Sequence, residues 1–235
     1  MRSNTLLILD ADDTLWESAL FFERTEHDFL ELMHSLGFER EPIRNIVHSR
    51  DIARLAVTGY GARPYISTLL QILTELIPEV PSWVHATFRD IKSALLEHPV
   101  ILMPGVVETL HTIQSQPVTT VVYTMGEQEH QHNKFMRSGL EQLVDGIRIV
   151  SEKTVANLED LITHYNMTPD RCILVGNSPR SDINPALSLG IQAVHIVRDR
   201  TWAAEREDFI NPGLVRTIER FNELLDILQN NIHNY

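Results

Sequence analysis

The sequence predicts an α/β protein in which a parallel sheet is covered by helices on both faces and interrupted by an all-α insertion. Short, continuous apolar runs, which are typical of strands buried on both faces, alternate with segments whose apolar residues repeat at helical spacing. The runs are Thr5 to Leu9, Val118 to Tyr123, Cys172 to Val175, Ile191 to Val197 and, more weakly, Ile147 to Val150. Strands that alternate with helices favour a parallel sheet flanked on both sides.

Helical patterns follow the later runs. One helix is predicted over 155–165, where the apolar residues fall on one face, and a shorter one over Ile183 to Leu189 is stopped by Gly190. Asn211-Pro212 is typical of a helix start, and apolar residues repeat at helical spacing from there to Leu228. We therefore expect a last helix that begins at Pro212.

Residues 17–99 have a different pattern from the rest of the chain. Their apolar residues repeat at helical spacing in three segments, the last of which Ser82 can cap, and no strand-like run is visible. We therefore expect two domains. Residues 1–16 and 100–235 would form the α/β core, and residues 17–99 a helical domain inserted into it.

The composition narrows the class of function. The chain has 235 residues, with 20 Lys and Arg against 32 Asp and Glu, which gives a formal net charge of −12. Such an acidic surface repels nucleic acid and anionic lipid, so we expect neither as a partner. The sequence has one cysteine, no apolar stretch of the roughly 20 residues that span a bilayer, and no visible signal peptide. These features favour a cytoplasmic protein, and they leave its oligomeric state open.

The segment Asp10-Ala11-Asp12-Asp13-Thr14 directly follows the first predicted strand. Three acids in four residues repel one another unless a cation lies between them, and Mg²⁺ commonly binds one or two carboxylates together with a substrate phosphate. Asp10 and Asp12 point the same way in an extended chain, so that one could attack phosphorus while the other moves protons. The alternative is that these acids only begin a loop or cap a helix.

Three more candidate segments follow predicted strands. Thr124-Met125-Gly126 offers a hydroxyl and backbone N–H groups to a phosphate, although such a segment is commonly just a turn. Lys153 could neutralise a phosphate, or it could be an ordinary surface lysine. In the segment from Gly176 to Asp182, Asn177 and Asp182 offer oxygen ligands to a cation, or the segment simply caps the next helix. The carboxyl ends of parallel strands share one edge of a sheet, so these segments should converge.

Together the four segments resemble the motifs of the haloacid dehalogenase superfamily, most of whose members are phosphatases. The resemblance rests on the order Asp10-x-Asp12-x-Thr14, Thr124, Lys153, and Gly176-Asn177 with Asp182. It covers the whole chain and implies a Rossmann-like parallel sheet core, with residues 17–99 as a helical cap domain.

The resemblance also implies a function. It indicates a magnesium-dependent hydrolase of small phosphorylated metabolites. Asp10 would be the nucleophile that becomes a phosphoaspartate, and Asp12 the general acid and base. Mg²⁺ would be bound by Asp10, by the backbone carbonyl of Asp12, and by Asn177 and Asp182, while Thr124 and Lys153 would hold the phosphoryl group. Asp12 argues against dehalogenation, because a halide leaving group needs no proton.

One departure from the family pattern keeps other functions open. The family has Asp where this chain has Asn177, and an amide oxygen binds a cation without bringing a charge. We expect weaker Mg²⁺ binding, and a non-catalytic or regulatory protein is the first alternative. Phosphotransfer, as in the mutases of the superfamily, is the second.

Candidate substrate contacts in the insertion surround Gly59-Tyr60-Gly61. They are Tyr60, Arg50, Arg54 and Arg63, since arginine suits carboxylate or phosphate groups. The alternative is that these arginines are solvated surface residues.

Overall fold

The computed structural model describes residues 5–232, which pack as two compact units. One unit contains the chain up to Glu17 and from Val100 onward, and the other is Ser18–Pro99.

Six parallel strands form the sheet of the first unit within the described residues. In chain order they are β1 (Thr5–Leu9), β2 (Val118–Met125), β3 (Gly146–Val150), β4 (Cys172–Gly176), β5 (Gln192–Ile196) and β6 (Val215–Ile218). Their order across the sheet is β3-β2-β1-β4-β5-β6, and every neighbouring pair is parallel. The predicted fold class is confirmed, and the five predicted runs match the first five strands.

Nine α-helices accompany these strands in the part of the chain that the structure describes. They are α1 (Ala19–Ser35), α2 (Arg40–Thr58), α3 (Ala62–Leu76), α4 (Ser82–Leu96), α5 (Val106–Gln114), α6 (Gln128–Ser138), α7 (Val155–His164), α8 (Asn184–Leu189) and α9 (Leu224–Ile232). None of the helices described is long and apolar enough to cross a membrane.

Side chains of the central strand β1 enter two different cores. Leu7 and Leu9 belong to a cluster with residues of α5, α6 and α9, whereas Leu6 and Ile8 belong to a cluster with residues of α7 and α8. Successive strand residues point to opposite faces, and here both faces are buried. This explains why β1 is a continuous apolar run and not an alternating one.

The helical unit has a core of its own. Helices α1 to α4 bury one another's apolar faces, with Phe29, Met33, Leu69, Val84 and Leu95 almost fully buried. The unit therefore does not depend on the sheet for a hydrophobic interior.

The predicted helix from Pro212 is wrong. That segment forms a 3-10 turn at Pro212–Leu214, then strand β6, then a second 3-10 turn at Phe221–Glu223, and only afterwards α9. The apolar residues of this segment repeat at helical spacing, which suggested one helix. Its middle part nevertheless forms β6, whose backbone pairs with β5.

Two expectations for the insertion also need correction. Ser82 is the first residue of α4 and not its N-cap. The N-cap is Pro81, and no side-chain capping hydrogen bond forms there. Helix α2 was missed because its sequence is largely polar. Among its residues whose burial the structure describes, only Ile43 and Val47 are buried hydrophobic residues.

Candidate active site

Asp10 is fixed at the point where β1 ends. Its backbone N–H continues the sheet by donating to the Val175 carbonyl oxygen at 2.9 Å. Its buried side chain accepts a hydrogen bond from the Thr14 hydroxyl at 2.8 Å on Oδ2, and its Oδ1 pairs with Lys153 Nζ. The carboxylate is thus held in one orientation by groups from two different parts of the chain.

Lys153 joins Asp10 to Asp182. Its buried Nζ lies 2.6 Å from Asp182 Oδ1, while Asp182 Oδ2 accepts the Ser178 N–H at 3.0 Å. Gly176 makes this approach possible, because a Cβ atom there would lie 2.2 Å from Asp182 Oδ2. Lys153 is therefore buried, and the alternative that it is an ordinary surface lysine is wrong.

The two buried carboxylates share a single ammonium group. Burial and the neighbouring Asp182 raise the pKa of Asp10 to about 7, although Lys153 acts in the opposite direction. Burial also raises the pKa of Asp182. Burial lowers the pKa of Lys153, but the two carboxylates outweigh this effect and raise it. The group carries an excess negative charge that a bound cation would relieve.

Asp12 belongs to a second charged group, next to the first. Its Oδ1 pairs with Lys134 Nζ and accepts the Trp16 indole N–H at 2.7 Å, and its Oδ2 accepts from Gln131 Nε2 at 2.8 Å. Burial raises the pKa of Asp12, but Lys134 and the hydrogen bonds from Gln131 and Trp16 lower it to about 2. The free site therefore keeps Asp12 ionised.

Thr124 lies buried near the end of β2 and accepts a hydrogen bond from Gln131 Nε2 at 2.7 Å. The Met125 carbonyl oxygen accepts from the same nitrogen at 3.0 Å. The Gly126 N–H donates to the Val150 carbonyl oxygen at 2.9 Å, so a phosphate contact through this group would compete with that bond. Thr124 thus remains linked to Asp12 through one side chain, Gln131.

Asn177 faces the oxygens of the first motif. One terminal atom of its amide lies 3.1 Å from the Asp12 carbonyl oxygen and 3.2 Å from Asp10 Oδ2. With the amide nitrogen there, Asn177 donates a hydrogen bond to both. With the amide oxygen there, three oxygens face one another, and a cation bound between them is needed to offset their repulsion.

The described residues contain no cluster of three or more His, Cys, Asp or Glu side chains suited to a metal. The set around Asn177 is of another kind, since it combines a carboxylate, an amide and a backbone carbonyl. These are oxygen ligands of the type that Mg²⁺ prefers. The carboxylate of Asp12 is directed to Lys134, so the Asp12 backbone oxygen is its contribution to this set.

The structure brings all four predicted segments together and adds two residues that the sequence analysis missed. Asp10, Lys153 and Asp182 are in direct contact. On α6, Gln131 connects Asp12 to Thr124, and Lys134 pairs with Asp12. A signal was present in the sequence, because the two missed residues are three apart and so would share one face of a helix.

The candidate residues of the helical unit have different surroundings. Arg54 pairs with Asp51 and donates a hydrogen bond to the Gly59 carbonyl oxygen at 2.6 Å. Gly59 is the C-cap of α2, so Arg54 stabilises the C-terminal end of this helix. Arg50 pairs with Glu75 at 2.6 Å. These bonds give both arginines a role within the helical unit. Tyr60 is half-buried and Arg63 exposed, and a substrate contact remains a prediction for all four.

Comparison with known proteins identifies the family. Residues 61–196, more than half of the chain, match the model of haloacid dehalogenase-like hydrolases. The chain belongs to this family. The resemblance predicted from the four segments is confirmed, and so is the prediction of a hydrolase of this family.

Similar proteins agree with that assignment over nearly the whole chain. A haloacid dehalogenase-like family hydrolase from Xanthomonas campestris has a crystal structure with a TM-score of 0.79 and 25% identity, covering 98% of this chain and 97% of that one. A glyceraldehyde 3-phosphate phosphatase from Methanocaldococcus jannaschii is 24% identical over 95% of this chain and 96% of its own. A protein of the same name from Methanothermobacter thermautotrophicus is 24% identical over 94% and 98%.

Proposed function

We propose that this hydrolase is a magnesium-dependent phosphomonoesterase that forms an aspartyl-phosphate on Asp10. The observation that carries the proposal is the environment of Asp10. Its carboxylate is buried, held by Thr14 and Lys153, and placed beside the oxygen set of Asn177 and the Asp12 carbonyl. A carboxylate fixed beside a lysine and a cation site is suited to attack phosphorus.

The charges of the site match a phosphate ester with one divalent cation. Asp10, Asp12 and Asp182 bring three negative charges, against two positive charges from Lys134 and Lys153. Addition of one Mg²⁺ would make this group of residues net positive by one charge. A phosphate dianion would then bind favourably at the site, although the chain as a whole has an acidic net charge.

In this proposal Asp10, Asn177 and the Asp12 backbone oxygen would hold the ion, with Asp182 close to them. When bound, Mg²⁺ would neutralise charge on the phosphoryl oxygens. Lys153 would contribute a second positive charge on the same oxygens, and the Thr124 hydroxyl would donate a hydrogen bond to one of them.

The chemical steps follow from two carboxylates with different surroundings. Asp10 Oδ would form a bond to phosphorus as the ester P–O bond breaks, and Asp12 would donate a proton to the leaving oxygen. Asp12 would then take a proton from water, whose oxygen attacks phosphorus and releases phosphate from Asp10. Asp12 is ionised in the free site, and the negative charge of a bound phosphate would raise its pKa toward the proton-carrying form.

The relatives suggest the first substrate to test. Two similar proteins that cover almost the whole chain are named glyceraldehyde 3-phosphate phosphatase. We propose a small phosphorylated metabolite as substrate, and glyceraldehyde 3-phosphate as its leading candidate. The helical unit, as a cap domain, would recognise the part of the substrate that leaves.

The test is phosphate release from 4-nitrophenyl phosphate and from a set of small metabolite phosphates, with and without Mg²⁺. We expect release that requires Mg²⁺ and that Asp10→Asn lowers by at least about a thousandfold, because the nucleophile is lost. Asp160→Asn, at an exposed position of α7, is the matched control and should leave the rate unchanged.

Each other outcome has a defined meaning. A folded protein that releases no phosphate from any ester would reject the proposal and favour a non-catalytic role. Transfer of the phosphoryl group to a sugar in preference to water would favour a phosphotransferase.

A further inference from the structure

Helix α6 supplies two buried polar side chains to the residue proposed as general acid and base. Lys134 has only 3% of its side chain exposed, yet its ammonium pairs with Asp12, whose own side chain is 32% exposed. Gln131, one helical turn earlier and equally buried, donates to the other oxygen of the same carboxylate at 2.8 Å. Together they hold both oxygens of Asp12 from one side.

Gln131 also contacts Thr124, whose hydroxyl is proposed to bind the phosphate. Its Nε2 lies within hydrogen-bond distance of Asp12 Oδ2, Thr124 Oγ1 and the Met125 carbonyl oxygen, so two N–H groups serve three acceptors. Because Thr124 Oγ1 accepts from Gln131, its own O–H hydrogen is directed elsewhere and is available to a ligand. One amide therefore orients both Asp12 and Thr124.

Both residues place polar groups in buried positions, where the loss of solvation costs stability. Replacement of a whole buried ion pair by apolar side chains is often neutral, although removal of one partner alone is destabilising. Gln131 Oε1 is buried and has no hydrogen-bond partner among the described residues, which is an unfavourable state for an amide that only fills space. Both side chains therefore incur a cost that the contacts with Asp12 and Thr124 explain.

We propose that Lys134 and Gln131 are positioning residues of the active site, Lys134 acting through Asp12 and Gln131 through both Asp12 and Thr124. The proposal rests on the proposed function, since it assigns these residues to the proton transfers and the phosphate contact of that reaction. It places one face of α6 beside Asp12, as the element that aligns the proton-transfer group with the phosphoryl site.

The test of Lys134 is a double-mutant cycle with Asp12, using 4-nitrophenyl phosphate and Mg²⁺. Lys134→Met keeps the length of the side chain and removes its charge. We expect kcat to fall roughly 10- to 100-fold while KM changes less than about threefold, because the carboxylate is misplaced and phosphate binding is not. In an Asp12→Asn background the same substitution should change kcat less than about twofold.

The test of Gln131 separates its two contacts. Gln131→Met should lower kcat and also weaken competitive inhibition by inorganic phosphate about threefold or more, since Thr124 loses its partner. In a Thr124→Val background the effect on phosphate inhibition should disappear, while the effect on kcat remains.

Controls distinguish positioning from folding. Arg137→Met removes a positive charge from an exposed position of α6 and should behave as wild type. Thermal unfolding of each variant is measured beside its kinetics, and the two variants of α6 test the same proposal independently of each other. Equal losses from Lys134→Met with Asp12 present and absent would overturn it. An inactive wild-type protein would instead reject the proposed function.

Discussion

Asn177 decides how much negative charge surrounds the proposed cation. Its amide faces Asp10 Oδ2 and the Asp12 carbonyl oxygen, and in the absence of a cation its N–H groups can bond to both. Binding of a cation would require the amide to turn and give up these two bonds. A neutral ligand that has hydrogen bonds to lose should bind the ion more weakly than a carboxylate would.

The substitution Asn177→Asp should therefore tighten Mg²⁺ binding by about tenfold, because it adds a charge and removes the competing N–H donors. The measurement is the dependence of thermal stabilisation on Mg²⁺ concentration, from which Kd is obtained and which does not depend on turnover. Without Mg²⁺ the variant should be less stable than wild type, since another carboxylate joins a negative group. Asn222→Asp, at an exposed position, is the control. Unchanged or weaker Mg²⁺ binding would show that Asn177 does not contact the ion.

The residues that the sequence revealed lie at the ends of strands or within a few residues after them. Asp10, Lys153 and Asp182 were found because the order of motifs along the chain is informative, and the structure places them in contact. Lys134 and Gln131 were missed because they lie on a helix whose sequence is mostly polar. A lysine on such a helix is normally exposed, and only the packing of α6 beside Asp12 determines otherwise.

Strand β4 and the turn after it determine the position of Asp182 in the site. The turn Pro179–Ile183 is a short π-helix, and Ser178 caps it by accepting the Ser181 N–H at 2.9 Å. Glu205 in turn accepts the Ser178 hydroxyl at 2.5 Å and the Ser181 hydroxyl. These bonds hold Asp182 against Gly176, where no room remains for a side chain.

Gly176→Ala should consequently displace Asp182 and lower the free energy of unfolding by about 1–3 kcal/mol, the usual cost of overpacking. Mg²⁺ should also stabilise the variant less than wild type. Both effects are measured by denaturant unfolding with and without the ion.

The matched control is Gly213→Ala, since a Cβ atom there meets only Asn211 Oδ1, at 3.8 Å. It should change stability by less than about 0.5 kcal/mol, as surface substitutions usually do. Equal stability of both variants would mean that Asp182 can move without cost.

Prediction from sequence failed for strand β6. Strand β6 has four residues, lies at the edge of the sheet, and has a 3-10 turn on each side. The apolar residues of these three short pieces happen to repeat at helical spacing, which local periodicity cannot distinguish from a helix. The pairing of β6 with β5 decides the outcome, and that contact is not local in the sequence.

The two units of the molecule have separate interiors. The helical unit Ser18–Pro99 has its own hydrophobic core, and the clusters on both faces of the sheet lie within the other unit. The ends of the insertion meet within the sheet unit, where the Glu17 N–H donates to the Ile101 carbonyl oxygen at 2.9 Å. A short linker can therefore replace the insertion without stretching the chain.

Replacement of residues 18–99 by a short Gly-Ser linker should leave a folded sheet unit that still contains every residue placed in the proposed site. We expect cooperative unfolding and a circular dichroism spectrum with less helix. We also expect Mg²⁺-dependent hydrolysis of 4-nitrophenyl phosphate that Asp10→Asn abolishes, because an aryl leaving group needs little recognition. The ratio of kcat/KM for glyceraldehyde 3-phosphate to kcat/KM for the aryl ester should fall at least about tenfold if the helical unit contacts the leaving group. An unchanged preference would place substrate selection in the sheet unit, and failure to fold would show that the two interiors are not independent.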